Sequence, residues 1–229
     1  MFHPYAMIMG MFDEPLPDRG PLGCSIWSHE FYETDRSRGF VRGYSYEAVR
    51  GFAPAQAAQF GAAMGHIPWG KDHHRAYGEF YNHTAGMVAI TEDLPDVTNT
   101  VTLDPVLTDS DGIPAPKINY TLSENSRKML AHGVERGREV LKAAGAVDTV
   151  ADPLMREAGW HLMGTARMGT DPKASVVNEW GRTHDVKNLF IIDGSIFVTA
   201  AGVNPTSTIQ ALALYVADSI KKNIETLFD

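Results

Sequence analysis

The chain has 229 residues, 44% of them hydrophobic, and sets 20 Lys plus Arg against 28 Asp plus Glu for a formal charge of −8. That length supports one large domain or two small ones with real cores, and the acidic balance argues against nucleic acid or an anionic membrane surface as a partner. Cys24 is the only cysteine, so neither an internal disulfide nor a thiolate cluster for zinc or iron–sulfur is available, and the composition fits either side of a bacterial membrane.

The opening MFHPYAMIMGMFDEP has no basic region before its apolar run and meets acidic residues and Pro15 at once. It reads as neither a signal peptide nor a transmembrane helix. Residues 1 to about 50 carry Pro15, Pro17, Gly20, Pro21 and Gly23 and then the acidic, aromatic HEFYETDRSRGFVRGYSYE, with no helical apolar period; the reading is loops and short strands. From Gly51 to about Asn82, AQAAQFGAAM predicts a helix by its Ala and Gln content. A turn at Pro68 and Gly70 and a polar patch of His73, His74 and Arg75 follow.

Residues 83–108 are β-branched and partly alternating, with breaks at Pro95 and Pro105, which predicts two or three strands. DSDGIPAPKINYTL reads as a hairpin turn at Asp111 and Gly112 entering another strand. A long helix comes next: Thr121 or Ser123 caps it, Glu124 stands in the capping-box position relative to Thr121, Met129, Leu130, Val134 and Leu141 recur near the helical period, and Gly145 stops it. From about Ala158 the last part contains VKNLFIID, an apolar run that reads as a strand buried on both faces and closed by Asp193 and Gly194. In the final helix Asn204 takes the N-cap position and Pro205 the N1 position, and Ile209, Leu212, Ala213, Val216 and Ile220 form one stripe.

Three features bear chemistry. His161 opens HLMGTARMG; a neutral imidazole beside a hydroxyl accepts its proton at ordinary pH, while the competing reading is a histidine satisfied by backbone groups in a glycine-rich turn. Asn204, in AAGVNPTSTIQALAL, either caps the helix through its side-chain oxygen or turns its amide N–H₂ to a substrate oxygen; an amide has a donor end and an acceptor end. Asp193 and Gly194 sit where ligands lie beyond strand ends in open α/β sheets, or form a plain strand-to-loop turn. The aromatics Phe31, Tyr32, Trp69 and Tyr77 belong either to a sugar pocket or to the core. His73, His74 and His83 lack HExxH spacing, which argues against a metal hydrolase.

The order HxxGT, MG, a run ending DGS, then VNPTSTI and a long helix resembles the carboxyl-terminal part of the GMC (glucose-methanol-choline) oxidoreductases across residues 159–225. Upstream, DGIPAPKINYTLSENSRKML resembles the end of that family's substrate domain, and HEFYETDRSRGFVRG is similar to its gluconate- and sugar-dehydrogenase branch. The resemblance implies an α+β or α/β chain: an antiparallel-sheet substrate domain with helices, plus a strand and helix of a Rossmann-like FAD domain. It divides the chain into a connecting segment at 1–50, a substrate-binding domain at 51–157 and a segment of the FAD domain at 158–229. It further implies His161 and Asn204 as the catalytic pair and Asp193, Gly194, Asn204, Pro205 and Thr206 as FAD contacts.

The implied activity is oxidation of an alcohol group on a sugar, sugar acid or polyol by hydride transfer to flavin. No GxGxxG fingerprint for the ADP part of FAD occurs in the chain. The expectation is therefore that a separate chain supplies that half or that it is missing, in which case VKNLFIID and the last helix would expose apolar surface. An electron-acceptor subunit is a further expected partner. A fragment or sugar-binding module that binds without oxidising is the alternative.

Overall fold

The computed structural model describes residues 1–16, 24–155 and 160–225, and the side chains of Cys24 and Ser25 are not among what it describes. The expected turn residues Pro17, Gly20, Pro21 and Gly23 and the expected boundary at 157–158 lie outside the described residues. In chain order the elements are β1 (Tyr5–Met11), β2 (Cys24–Ser28), β3 (Tyr44–Val49), α1 (Pro54–Ala63), α2 (His73–Asn82), β4 (Thr84–Thr91), β5 (Thr100–Thr108), β6 (Pro114–Asn119), α3 (Glu124–Ala143), β7 (Asp148–Asp152) and α4 (Thr206–Lys222). They fall into two compact units: a sheet unit of Pro4–Glu92 and Glu124–Gly159, and a loop-rich unit of Met1–His3, Asp93–Ser123 and Trp160–Asp229. The mixed α+β class with antiparallel sheets is the one expected.

In the sheet unit five antiparallel strands run in the order β2-β3-β4-β1-β7. Successive side chains of a strand point to opposite faces, and β1 uses both. Tyr5, Met7 and Met9 join Phe52, Ala57, Ile67 and Phe80 in one core cluster. Ile8 faces the other way, so close to α3 that a Cβ added at Gly137 would sit 3.2 Å from it. Double coverage explains why YAMIMGM is an unbroken apolar run instead of an alternating one.

Helix α3 lies on that second face. It buries Met129, Leu130, Val134 and Leu141 with Ser126, Gly133 and Gly137 between them, the one-sided spacing its sequence predicts. Each large apolar side chain so buried contributes roughly 1.5–3 kcal/mol.

The polar patch of His73, His74 and Arg75 forms the first turn of α2, where Arg75 pairs with Glu79 one turn on at 3.0 Å, an i,i+4 arrangement that supports a helix. One local expectation changes. Pro105 does not end a strand, since β5 runs through it to Thr108 and the pairing with β6 shifts register between Leu103 and Thr108. Proline has no N–H for a ladder, and the irregularity of a two-stranded hairpin accommodates that.

The loop-rich unit is held by backbone bonds between turns. Gly164, Ala166 and Met168 donate in succession to the carbonyls of Gly194, Ser195 and Ile196 at 3.2, 2.8 and 2.9 Å. Gly164 has φ +86°, a conformation that favours glycine, and Gly194 is buried with the Leu162 carbonyl 2.7 Å from where a Cβ would stand. The expected strand in VKNLFIID does not form: Phe190 makes one antiparallel bridge to Arg182, and Val186 and Leu189 are 47% and 48% exposed. A ladder needs a continuous neighbour, and the pairing here stops at the two bonds of that bridge, Thr183 N–H to Leu189 O at 2.9 Å and Ile191 N–H to Gly181 O at 2.8 Å.

Replacing Ile8, fully buried on the α3 face, by Ala is expected to destabilise the sheet unit by about 2–5 kcal/mol. A urea unfolding curve followed by circular dichroism checks this through a lowered midpoint. Gly194→Ala places a methyl against a backbone oxygen that cannot rotate away; a loss of about 1–3 kcal/mol is expected. Differential scanning calorimetry should register it as a fall of several degrees in Tm, while Ser195→Ala at the next position leaves the backbone ladder intact.

Candidate active site

His161 begins the turn that the 164–168 ladder anchors. Its backbone is left-handed, with φ +60°, which costs a residue with a Cβ about 1–2 kcal/mol. Such strain persists only where the surroundings over-determine it. Here they do. His3 N–H donates to Trp160 O at 3.2 Å and Met163 N–H donates to Met1 O at 3.0 Å, so a short antiparallel pair brackets His161 on both sides. The rings of His3 and His161 meet edge-on at 74° with centroids 4.9 Å apart, and their Nδ1 atoms are hydrogen-bonded at 2.8 Å.

His3 is fully buried. Burial first, and then the neighbouring His161, push its pKa down to about 4, while the Ala201 backbone acts in the opposite sense. A neutral imidazole results at ordinary pH. No motif pointed to His3; it lies in a segment that reads as the start of an apolar run, and its only signal would have been its proximity to His161 in space.

Asn204 stands outside α4. The helix starts at Thr206 with Pro205 as N-cap and no side-chain cap bond, so the expected start is displaced by one residue and Asn204 is not the cap. Pro205 already has near-helical backbone, φ −87° and ψ −2°, while residues before a proline are biased away from the helical region. Asn204 is exposed and makes no hydrogen bond among the described residues. With Pro205 it lines a cleft of about 350 Å³ whose other walls include Met163, Met168, Phe197, Val198, Ala201 and Leu212. Thr206 does not line the cleft and is exposed.

Asp193 is committed locally. Its Oδ1 accepts from Ser195 N–H at 2.7 Å and caps a 3₁₀ turn at Gly194–Ile196. Gly194 acts through the space it leaves for the Leu162 carbonyl. The site residues are thus assembled in two groups: Asp193 and Gly194 support the turn that carries His161, and Asn204 and Pro205 line the cleft. Met163 and Ala201 join the groups, since both wall the cleft while one follows His161 in its turn and the other acts on His3. His161 itself is not among the cleft-lining residues, and its described ring partner is His3.

The aromatic candidates lie in the sheet unit. Phe31 stacks on Tyr44 at 5.4 Å, Tyr77 stacks on Tyr81 at 5.3 Å, and Trp69 is 91% exposed. His73 and His83 direct Nδ1 at the carbonyls of Pro68 and Phe12, at 3.1 and 2.9 Å. No helix among the described residues is long and apolar enough to cross a membrane. Val186, Leu189, Leu214 and Tyr215 are all more than 45% exposed, in the two segments expected to show apolar surface.

Residues 95–213 match the family model described as GMC oxidoreductase. The chain is 43% identical over 213 residues to 2-methyl-1,2-propanediol dehydrogenase of Mycolicibacterium austroafricanum, a match covering 92% of this chain and 38% of that protein. It is 36% identical to the fructose dehydrogenase large subunit of Gluconobacter japonicus, over 62% of this chain and 26% of that one. The chain thus spans well under half the length of these relatives. Among solved structures, pyridoxine 4-oxidase from Mesorbium loti superposes with a TM-score of 0.62 at 14% identity, covering 97% of this chain and 43% of that one; at that identity the likeness concerns the fold. With the family model covering more than half its length, the chain belongs to the GMC oxidoreductase family.

Proposed function

We propose that this chain carries the reacting half of an FAD-dependent enzyme that oxidises an alcohol group on a polyol, sugar or sugar acid. The observation that carries the reading is Asn204, an amide at the edge of an apolar cleft that neither caps its helix nor bonds elsewhere among the described residues. Its N–H₂ is available to donate to an alcohol oxygen and to the charge that develops there as the hydroxyl proton leaves. His161 accepts that proton as general base. The apolar walls at Met163, Met168, Phe197, Val198 and Leu212 exclude water, which strengthens both interactions.

The same cleft fits the ring part of a flavin better than its phosphates. Its walls are mostly apolar, its polar side chains are the Asn204 amide and the hydroxyls of Thr199 and Thr208, and no cationic side chain among the described residues lines it. The first-turn N–H groups of α4 have no side-chain cap and give the Asn204 end of the cleft a partial positive charge. Asn204 and Pro205 would hold the ring, Thr206 would contribute from the exposed first turn of α4 outside the cleft lining, and Asp193 and Gly194 would shape the turn beside it. When bound, FAD supplies the hydride acceptor. A separate or additional polypeptide segment carrying a dinucleotide fold would supply the rest of the FAD site. The residues 51–157 would supply the substrate-binding domain and 158–229 a segment of the FAD domain, with 1–50 connecting them.

Similarity to a diol dehydrogenase over most of this chain favours small vicinal diols and related polyols as the first substrates to try. The relative named as a large subunit supports an electron-acceptor subunit as partner.

In the FAD-loaded enzyme, with the nucleotide-binding half present, anaerobic mixing with 1,2-diols or sugars should bleach the visible flavin band. His161→Ala is expected to slow that bleaching by about 10²–10⁴-fold with flavin content unchanged, and Asn204→Ala by about 10²–10³-fold. Stopped-flow absorbance checks both rates; bleaching as fast in His161→Ala as in the native enzyme would refute the base assignment. Preparations that never show a flavin band, alone or with candidate partner chains, would favour the non-oxidising binding module.

A further inference from the structure

We propose that His3 is a positioning residue that fixes the tautomer of His161: the Nδ1–H of His161 donates to the Nδ1 lone pair of His3, so that Nε2 of His161 is the basic nitrogen. The inference deepens the proposed role of His161 as base and rests on that reading for the direction of the bond.

The geometry leaves two arrangements. Two Nδ1 atoms 2.8 Å apart share one proton, since two N–H groups or two lone pairs facing each other would repel. In one arrangement His161 donates and His3 accepts; in the other the roles are exchanged. The role proposed for His161 decides between them. His3 is fully buried and neutral, so its Nε2 is a bare lone pair if His3 donates through Nδ1, and an N–H if it accepts.

The Nδ1 of His161 is engaged by His3, so a base acts through Nε2, which must carry the lone pair. Nδ1 of His161 therefore keeps the hydrogen, Nδ1 of His3 is the acceptor, and the proton of the neutral His3 ring sits on Nε2.

The choice of a buried neutral imidazole as acceptor has a chemical consequence. A carboxylate hydrogen-bonded to Nδ1 would orient a histidine and also stabilise its cationic form. His3 orients His161 and selects the tautomer without adding negative charge beside it. The donor bond also persists after His161 takes a proton on Nε2, because Nδ1 keeps its hydrogen in both states. The strained φ of +60° at His161 and the backbone bonds of His3 and Met163 to Trp160 and Met1 hold the two rings in the register that this bond needs.

The test is long-range ¹H–¹⁵N correlation on the intact protein labelled in histidine, with the His161 signals assigned by their absence in His161→Ala. Near pH 8 the native protein is expected to show His161 as the Nδ1–H tautomer. His3→Leu removes the acceptor and should return His161 to the Nε2–H tautomer that predominates in free imidazole side chains, while His3→Gln, whose amide oxygen can accept, should retain Nδ1–H. In the FAD-loaded enzyme His3→Leu should slow flavin bleaching about 10–100-fold, and His3→Gln should recover most of that rate. A native His161 in the Nε2–H form overturns the proposal even if no His3 variant folds, and so does a tautomer unchanged in folded His3→Leu. If the tautomer pattern holds while His161→Ala bleaches normally, the base reading fails and the positioning of His161 by His3 stands, so the two failures are told apart.

Discussion

Three N–H groups at Gly164, Ala166 and Met168 meet three consecutive carbonyls at Gly194, Ser195 and Ile196, and this ladder fixes the geometry of the site-bearing unit. It forms only because Gly194 leaves room for the Leu162 carbonyl. Asp193 strengthens the turn from one end by capping it, and Met163 carries its influence into the cleft. A region with few regular elements thereby becomes rigid at the points where chemistry requires it. Hydrogen-bonded turns do here what a sheet does elsewhere, since each buried backbone group must find a partner.

The two histidines show how burial can be used to set chemistry without a charge. His3 lies in full burial and stays neutral far below its usual range, at the expense of one ring nitrogen without a well-formed bond. Such a group is normally a destabilising defect. Beside a strained His161, it belongs to the class of local irregularities that proteins retain at working sites.

The sheet unit follows ordinary rules and supplies the contrast. β1 is covered on both faces, α3 approaches one of them through Gly133 and Gly137, and the other holds the aromatic and aliphatic cluster with Phe52 and Phe80. Stability there is a matter of area removed from water. In the loop-rich unit the final helix leaves Leu214 and Tyr215 largely exposed; its stripe of Ile209, Leu212, Ala213 and Ile220 is only partly buried, and Val216 alone is fully so.

Periodicity and caps are local properties, so the sequence alone determined α3, α1, the β5–β6 hairpin and the body of α4, and its motif order determined the family. It also singled out His161 and Asn204, because each sits beside glycines or proline in a recognisable run. It misread Val186–Asp193 as a strand, since apolarity marks a segment able to pair and does not supply the neighbour it would pair with. It placed the cap of α4 one residue early, where Pro205 and not Asn204 holds the near-helical backbone. His3 was invisible in it. Only tertiary structure decided that partner, because a hydrogen bond between residues 158 positions apart depends on where two turns are brought together, and no spacing along the chain records that distance.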